Sequence, residues 1–300
     1  MKLYGGIEAG GTKFVCAVSE VGQNEKLIGE ERFPTQDPEN TIQKVVDFFN
    51  KQVRLHGSLS AIGIASFGPL DRRLESGNYG FITSTPKPGW ANFDFVGSIR
   101  EHFPIPVGFD TDVDGSALGE FRWGAGRGLN SLVYLTIGTG IGGGAITNGE
   151  IIHGMLHSEM GHMQIPHNWE LDPFPGICPY HGDCWEGLAC GPALEQRWNA
   201  KAETLPKDHP AWVLEADYIA SALVNLILVL SPEKIILGGG VMSQRHLFGM
   251  VREKVKSLLN GYLKSDQILS HIDTLIVSPG LGQYSGVKGA IALAELAEQS

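Results

Sequence analysis

Two glycine-rich turns, each flanked by apolar runs, constrain the fold of this chain more than any other feature. The first lies in "YGGIEAGGTKFVCAV", residues 4–18, and the second in "LVYLTIGTGIGGGAIT", residues 132–147. In both stretches apolar residues precede and follow the glycines, which predicts a strand, a tight turn and a second strand. The recurrence of this unit indicates an internally duplicated fold.

Neither turn fits the common nucleotide-binding motifs. A P-loop needs Gly-Lys-Ser/Thr leading into a helix, whereas Gly11-Thr12-Lys13 leads into an apolar, strand-like run. The second turn matches the dinucleotide pattern Gly-x-Gly-x-x-Gly by spacing alone, because a strand again follows it. Glycine backbone N–H groups beside threonine hydroxyls can form a nest for phosphate oxygens, while an ordinary hairpin with glycine at positive φ is the alternative. A third such stretch, "LGGGV" after a predicted strand, favours phosphate binding.

The alternation of strand-like and helix-like segments in the rest of the sequence predicts an α/β protein. At 300 residues we expect two domains, with a division just after the strand that ends at Asp110. The predicted strands include "AIGIASFG", "PVGFD", "KIILGGG" and "DTLIVSP". The predicted helices cover residues 41–55, 96–102, 112–123, 216–230, 244–262 and 286–297, with another around Leu194.

Charge and hydropathy exclude two classes of partner. The 23 basic and 33 acidic residues give a net charge of −10, and no run of five basic residues occurs, which argues against nucleic acid. The N-terminus reaches glycine too soon for a signal peptide. The most apolar stretch, "ADYIASALVNLILVL", contains Asp217 and Asn225 and stops at Pro232. We therefore expect a buried helix in a cytoplasmic protein without a membrane partner.

The stretch "ICPYHGDCWEG" concentrates metal-binding residue types in a chain with only 4 Cys. So few clustered cysteines do not make a secreted disulfide framework. Cys178, His181 and Cys184 have the spacing C-x₂-H-x₂-C and can share one tetrahedral ion, with His162 as the candidate fourth ligand. The alternatives are buried, inert thiols and surface histidines. Cys190 is expected in the core.

The three glycine stretches together resemble the ROK group of sugar kinases, and within it the bacterial fructokinases. "GGIEAGGTKF" resembles the first phosphate loop, "TIGTGIGGG" the second and "IILGGGV" the adenosine loop. The resemblance implies a two-domain actin-like/hexokinase (ribonuclease H-like) ATPase fold. It places residues 1–112 in an N-terminal domain, on which helix 286–300 packs back, and residues 113–285 in a C-terminal domain. It also implies ATP, Mg²⁺ and a homodimer. The residues expected to contact ATP are Gly10, Gly11, Thr12, Lys13, Thr139, Gly140, Gly142, Pro192, Gly238, Gly239 and Gly240.

The stretch "GFDTDVDGSALGEF" places Asp110, Asp112 and Asp114 where a strand leads into a helix. Any of these acids could be the helix N-cap, so location alone does not choose a catalytic one. The resemblance to the family pattern Asn-Asp-Ala-Asn-x-x-x-Leu-Gly-Glu assigns Asp112 as the catalytic base, which accepts the sugar hydroxyl proton. Thr111 stands where the family usually has a sugar-contacting Asn. Glu8, in the first loop, stands where many members have an Asp that lies near the metal-bound phosphate.

The same resemblance assigns the residues around the cysteines. The family has Glu-x-Gly-His followed by a Cys-rich loop, in which the His and three loop residues hold a structural zinc ion (Zn²⁺). The implied zinc ligands here are His162, Cys178, His181 and Cys184, with His181 in a place often filled by Cys. Thr111, Glu159, His162 and Glu186 are the implied sugar ligands. In "STPKPGWANFD", Trp90 can stack on a sugar or make a lid or core contact, and Asn92 lies beside it.

The resemblance implies that the chain transfers the γ-phosphoryl group of ATP to a hexose. The expected acceptor is the 6-hydroxyl of D-fructose, which would make the chain a fructokinase that binds both substrates in a cleft between its domains. Glucose, mannose or an N-acetylhexosamine are the alternative sugars. Sugar-sensing repressors among the relatives carry a helix-turn-helix extension before the first phosphate loop. Only a few residues precede that loop here, so we expect an enzyme rather than a repressor.

Overall fold

The computed structural model describes residues 1–299, in which strands and helices alternate as predicted; Ser300, the end of the helix expected over residues 286–300, lies outside the described residues. The strands are β1 (Lys2–Ala9), β2 (Lys13–Glu20), β3 (Leu27–Pro34), β4 (Ser58–Ser66), β5 (Phe81–Ile82), β6 (Phe93–Asp94), β7 (Val107–Thr111), β8 (Leu132–Ile137), β9 (Ile141–Thr147), β10 (Glu150–Ile151), β11 (Ile235–Gly238) and β12 (Ile276–Val277). The α-helices are α1 (Pro38–His56), α2 (Phe95–His102), α3 (Asp112–Trp123), α4 (Trp185–Ala189), α5 (Gly191–Trp198), α6 (Ala211–Leu230), α7 (His246–Leu259), α8 (Asp266–Leu269), α9 (Ile272–Leu275) and α10 (Ser285–Gln299).

The chain forms two compact units. Unit 1 contains Met1–Gly128, Ile151–His157 and the residues from Gly280 onward, and unit 2 contains Leu129–Glu150 and Ser158–Pro279. The division therefore falls after Gly128 rather than after residue 112, the boundary expected from the sequence. The physical reason is that α3, which begins at Asp112, packs along α10 and β4 of unit 1.

Unit 1 is built on a five-stranded sheet in the order β3-β2-β1-β4-β7. The first glycine turn joins β1 to β2 as an antiparallel hairpin, which confirms that prediction, while β4 and β7 run parallel to β1. A core of buried aromatic and aliphatic side chains, with Phe14, Phe49 and Phe95 at its centre, lies against α1 and α2. Helix α10 approaches the sheet so closely that a Cβ atom on Gly63 would collide with the carbonyl group of Ala290. Glycine at this position is thus a packing requirement.

Unit 2 is built on a second sheet in the order β10-β9-β8-β11-β12. The second glycine turn joins β8 to β9 as another antiparallel hairpin, and β11 runs parallel to β8. Among the described residues, α6 is the one helix long and apolar enough to cross a membrane, with a mean hydropathy of 1.9. Half of that stretch is buried, and α6 packs against α7 and α4 as a core helix does.

Several element boundaries differ from the sequence prediction, among them the start of helix 216–230, which is Ala211, and the ends of helix 244–262, which are His246 and Leu259. Helix α1 begins at Pro38 instead of residue 41 because the Asp37 side chain accepts the Asn40 N–H and caps the first turn. The strand predicted over residues 273–279 is instead the short α9 followed by the two-residue β12. There Ile276 and Val277 pair with β11, and the Arg252 guanidinium donates two hydrogen bonds to the Ile276 carbonyl, at 2.7 and 3.0 Å.

Candidate active site

The first glycine turn is a closed, exposed loop at the end of β1. The Gly10 N–H donates to the Lys13 carbonyl at 2.9 Å, and the Thr35 hydroxyl donates to the Gly10 carbonyl at 2.7 Å. Gly11, Thr12 and Lys13 form its exposed tip, with open space beside the Gly11 α-carbon. The Lys87 ammonium group donates to the Gly11 carbonyl. An exposed backbone tip flanked by cations suits an anion such as phosphate.

The strand that leads into this turn and the strand that leads into Asp112 end at the same edge of the unit 1 sheet. Ala9 of β1 pairs with Ser66 of β4, and Ser66 pairs with Thr111 of β7. These three parallel strands therefore end side by side, and the turn and Asp112 each follow the last residue of their strand. Because neighbouring strands are roughly 5 Å apart, the backbone of Asp112 lies about 10 Å across the sheet from the turn. Functional groups after parallel strands commonly meet at this edge.

Thr111, and none of the three acids, caps helix α3. Its hydroxyl oxygen accepts the Asp114 N–H at 3.1 Å and its hydroxyl hydrogen is donated to the Asp114 carboxyl at 2.8 Å. Thr111 is only 3% exposed. The hydroxyl group is thus occupied inside the protein and offers no free hydrogen to a sugar, in contrast to the role expected by resemblance.

Asp112 is the acid left available for chemistry. Desolvation of its carboxyl group, followed by the negative charge of Glu8, raises its pKa to about 7. The Val113 N–H, which donates to the carboxylate at 3.0 Å, and the nearby His157 act in the opposite direction. A carboxylate with a pKa near neutrality can accept a proton and still be ionised in about half of the molecules at pH 7.

Asp110 and Asp114 are held in structural contacts. The Asp110 carboxylate forms an ion pair with Arg72 at 2.8 Å and contacts the His153 ring at 2.9 Å. Burial, and next the charge of Asp110, raises the pKa of Asp114 well above its ordinary value. The atoms of Asp110, Asp114 and His153 are close enough to share a metal, but the Arg72 guanidinium already neutralises this cluster.

Glu8 has a carboxylate oxygen that fits a hard cation. Burial raises the pKa of Glu8, and one face of the carboxylate receives a backbone hydrogen bond from Val287. Its Oε2 atom is buried without a hydrogen-bond partner among residues 1–299. Buried carboxylate oxygens are normally hydrogen-bonded, so this atom has spare capacity that Mg²⁺ or an Mg²⁺-bound water can use.

The second glycine turn lies beside a cavity of about 460 Å³ in unit 2. The Gly138 N–H donates to the Gly140 carbonyl at 2.8 Å, and the Gly191 N–H donates to the Gly138 carbonyl at 2.7 Å. Three of the residues expected at ATP, Thr139, Pro192 and Gly240, line this cavity. Val241, the last residue of the "IILGGGV" stretch, also lines it. Other lining residues belong to no recognisable motif and could not be predicted from the sequence: Glu195, Lys201, Glu203 and Ser243.

The remaining expected ATP residues of unit 2 shape the backbone around this cavity. Gly239 has φ = 91°, a left-handed conformation that favours glycine, and a Cβ there would collide with the Ile137 carbonyl. Gly238 ends β11, and Gly142 pairs with Thr136 inside the hairpin. These three glycines therefore set the path of the chain, whereas Gly140 belongs to the turn itself.

The predicted metal ligands come together in unit 2. The Nδ1 atom of His162 is 3.5 Å from the Cys184 sulfur and 3.7 Å from the Cys178 sulfur, and His181 Nδ1 is 3.6 Å from Cys178. Tetrahedral bonds of about 2.05 Å to nitrogen and 2.3 Å to sulfur imply N···S edges of about 3.6 Å. The observed edges therefore fit one tetrahedral cation. Cys190 is buried outside this cluster, as expected.

The cysteines of this cluster are buried. Burial and, less strongly, the neighbouring Cys178 thiol raise the pKa of Cys184 to about 11 in the metal-free protein. Both residues are nearly inaccessible to solvent, with exposures of 5% for Cys178 and 0% for Cys184. A divalent ion that binds Cys184 must therefore displace the proton of its thiol, and the positive charge of the ion stabilises the resulting thiolate.

Of the predicted sugar ligands of unit 2, His162 belongs to this cluster and Glu186 lies beside it. His162 ends a short 3₁₀ turn, Met160–His162, that Glu159 precedes, and Glu159 is exposed. Glu186 lies in the first turn of α4, two residues after Cys184. Its Oε1 atom is 3.9 Å from His162 Nε2, so the structure brings these two side chains together.

The loop "STPKPGWANFD" contributes to the core through Trp90. This side chain is 0% exposed, packs among Phe14, Phe67 and Phe95, and donates from Nε1 to the Gln36 carbonyl at 2.8 Å. Of the alternatives left open by the sequence, the structure selects the core contact. Asn92 follows in a left-handed conformation, with φ = 57°.

Comparison with known proteins shows one consistent likeness over nearly the whole chain. The model of the ROK family matches residues 4–297. A fructokinase from Streptococcus mutans is 47% identical over 297 residues, which span 98% of each chain. A ROK hexokinase from Thermus thermophilus is 26% identical and has a TM-score of 0.82 over 98% of both chains. A ROK family glucokinase from Streptomyces griseus, solved with glucose and AMPPNP, is 22% identical, with a TM-score of 0.74 over 99% of this chain and 100% of that one.

Proposed function

The chain belongs to the ROK family, and we propose that it is an ATP-dependent sugar kinase that phosphorylates D-fructose to fructose 6-phosphate. The expected α/β fold of the actin-like/hexokinase type is confirmed by the similarity to the Thermus thermophilus hexokinase. The fructokinase relative, at 47% identity over nearly its full length, supports fructose as the substrate.

The observation that carries this proposal is the common edge of the unit 1 sheet. There an exposed glycine turn that suits phosphate and a carboxylate with a pKa of about 7 follow strands that end in the same row. Phosphoryl transfer needs little covalent help from protein, so one base and several positioning groups suffice.

In the proposed reaction Asp112 acts on the sugar hydroxyl. Its carboxylate accepts the proton of the 6-hydroxyl as that oxygen forms a bond to the γ-phosphorus of ATP. The bond between the γ-phosphorus and the bridging oxygen breaks, and ADP leaves with that electron pair. From unit 2 we assign Glu159, His162 and Glu186 as ligands of sugar hydroxyls. For Thr111 we propose a role that is restricted to capping α3.

We also propose one ion for each of two donor sets. Zn²⁺ fits His162, Cys178, His181 and Cys184, because the N···S distances match tetrahedral coordination. All four positions would be filled by protein, so the ion is structural and keeps the loop in place. Mg²⁺ fits the unpartnered oxygen of Glu8, where it would neutralise phosphate charge. The homodimer and the cytoplasmic location remain predictions from the sequence.

A panel of hexoses with MgATP tests the proposed function. Fructose should give the highest kcat/KM, and glucose, mannose and N-acetylhexosamines should be poorer acceptors by about tenfold or more, since mispaired polar groups in a sugar site are costly. ADP release measured by a coupled assay is the readout. A higher kcat/KM for one of the other sugars would replace fructose as the substrate, and no phosphorylated product with any hexose would refute the kinase assignment.

A further inference from the structure

Glu186 has two carboxylate oxygens with different partners. Its Oε2 atom accepts the N–H of Ile141 at 2.8 Å, while its Oε1 atom faces His162 Nε2 at 3.9 Å. Ile141 is the first residue of β9, directly after the second glycine turn. We propose that Glu186, besides contacting sugar, is a positioning residue that fixes this turn for the nucleotide and couples it to the metal cluster. The nucleotide part of this inference rests on the proposed function.

The turn depends on Glu186 because its own backbone contacts are sparse. Within it, the Gly138 N–H bonds to the Gly140 carbonyl, and the antiparallel ladder begins only at the pair Ile137 and Ile141. The carboxylate takes the place of a backbone acceptor for the first N–H of β9. It also lies so close that a Cβ on Gly140 would come within 2.7 Å of Oε2. Hydrogen bonds to a charged acceptor are about twice as strong as neutral ones.

The position of Glu186 is in turn fixed by the loop that carries the metal ligands. The Trp185 N–H donates to the Met163 carbonyl at 2.9 Å, and the Ile177 N–H donates to the Gly187 carbonyl at 3.0 Å. The two neighbours of Glu186 are therefore each tied to the backbone on either side of the cluster. A bound ion that fixes His162 and Cys184 fixes Glu186 as well.

His162 lies beside the same carboxylate. Its Nδ1 atom faces the two sulfurs, and its Nε2 atom is 3.9 Å from Glu186 Oε1, which is longer than a direct hydrogen bond. The path therefore runs from the metal through Cys184 and the backbone of its loop to Glu186 and the Ile141 N–H. The path predicts that metal binding and nucleotide binding are coupled through one side chain of unit 2.

Amide hydrogen exchange at Ile141 tests the anchoring without any substrate. In Glu186→Ala the exchange rate of this amide should rise about ten- to a hundredfold, because its charged acceptor is lost. Glu186→Gln retains an oxygen that can accept the N–H and should keep exchange within about threefold of wild type. Removal of metal by a chelator should raise Ile141 exchange in the wild type but add little in Glu186→Ala, since coupled effects are not additive.

Binding of MgAMPPNP without sugar tests the nucleotide part. We expect the Kd to rise about ten- to a hundredfold in Glu186→Ala and to stay near wild type in Glu186→Gln. The matched control is Glu170→Gln, at an exposed side chain of unit 2 outside the proposed site, which should keep the wild-type nucleotide affinity. Circular dichroism and metal content confirm that each variant is folded.

The outcomes separate this inference from the proposed function. Unchanged Ile141 exchange in folded Glu186→Ala overturns the anchoring, and unchanged nucleotide affinity in that variant overturns the coupling to nucleotide. If the wild type binds no MgAMPPNP, the proposed function fails, and Ile141 exchange still decides whether Glu186 anchors the turn.

Discussion

The pH dependence of the reaction is the most direct consequence of the Asp112 environment. With its pKa raised to about 7, Asp112 is ionised in about one molecule in ten at pH 6. A protonated carboxyl cannot accept the sugar proton, so kcat/KM should fall about tenfold for each pH unit below 7. An unperturbed aspartate, with a pKa of about 3.9, would leave the profile flat down to about pH 5.

The assay measures kcat/KM for fructose from pH 5 to 9 with both substrates below saturation and Mg²⁺ in excess, so that the profile reports the free protein. Asp112→Asn should lower kcat/KM about a hundred- to ten-thousandfold at pH 8 and abolish the acidic limb. Glu8→Gln removes the charge that helps to raise the Asp112 pKa, so the limb should move to lower pH. The control Asp47→Asn, on the exposed face of α1, should keep the wild-type profile.

A wild-type profile without a limb between pH 6 and 8 would refute the assignment of Asp112 as a base with a raised pKa. Full turnover by Asp112→Asn would refute its role in proton transfer altogether.

Two further predictions concern stability and metal content. Purified wild-type protein should contain about one zinc per chain after removal of adventitious metal, whereas Cys178→Ser should bind less zinc and unfold at a lower temperature. Elemental analysis measures the zinc content, and thermal unfolding measures the Tm. A wild type that contains no zinc and has the same Tm as Cys178→Ser would contradict the zinc site. Trp90→Ala should lower the free energy of unfolding by about 3–5 kcal/mol, because it empties a fully buried site in the unit 1 core. Urea titration measures this change. The control is Leu74→Ala, at a side chain that is 80% exposed, which should change the free energy of unfolding by less than about 0.5 kcal/mol.

The glycine hairpins and the metal cluster could be predicted because their signals are local in sequence. Apolar runs on both sides of a glycine turn specify a hairpin, and cysteines and histidines at short spacings can reach one ion wherever the loop lies. The candidate fourth ligand, His162, lies 16 residues before Cys178, a separation that no local spacing rule specifies.

The local sequence at the start of α3 does not identify which acid is available for catalysis. The sequence offers Asp110, Asp112 and Asp114 within five residues, and any of them could cap the helix. Arg72 and His153, which are distant in the chain, hold Asp110, whereas the neighbouring Thr111 takes the capping position and binds Asp114. Asp112 is thereby left available, and no spacing rule could supply the distant partners of Asp110.

The local sequence also does not specify the burial of Trp90 or the length of the last strand. A tryptophan in a Pro/Gly loop has no periodic context, so only the surrounding aromatic side chains show that it is buried. The apolar stretch before Pro279 has strand-like residues, but its first part folds as α9, and Ile276 and Val277 are the residues that pair with β11. Pairing with the rest of the sheet, rather than local preference, sets the length of this strand.

The packing of α10 against β1, β4 and β7 affects how this protein is synthesised. The N-terminal strands emerge from the ribosome long before the fifteen residues of α10 are translated, so one apolar face of the unit 1 sheet is at first uncovered. Unit 2, whose residues are all translated before α10, can finish folding earlier. The first part of the chain to be made can therefore complete its packing only after α10 has been translated.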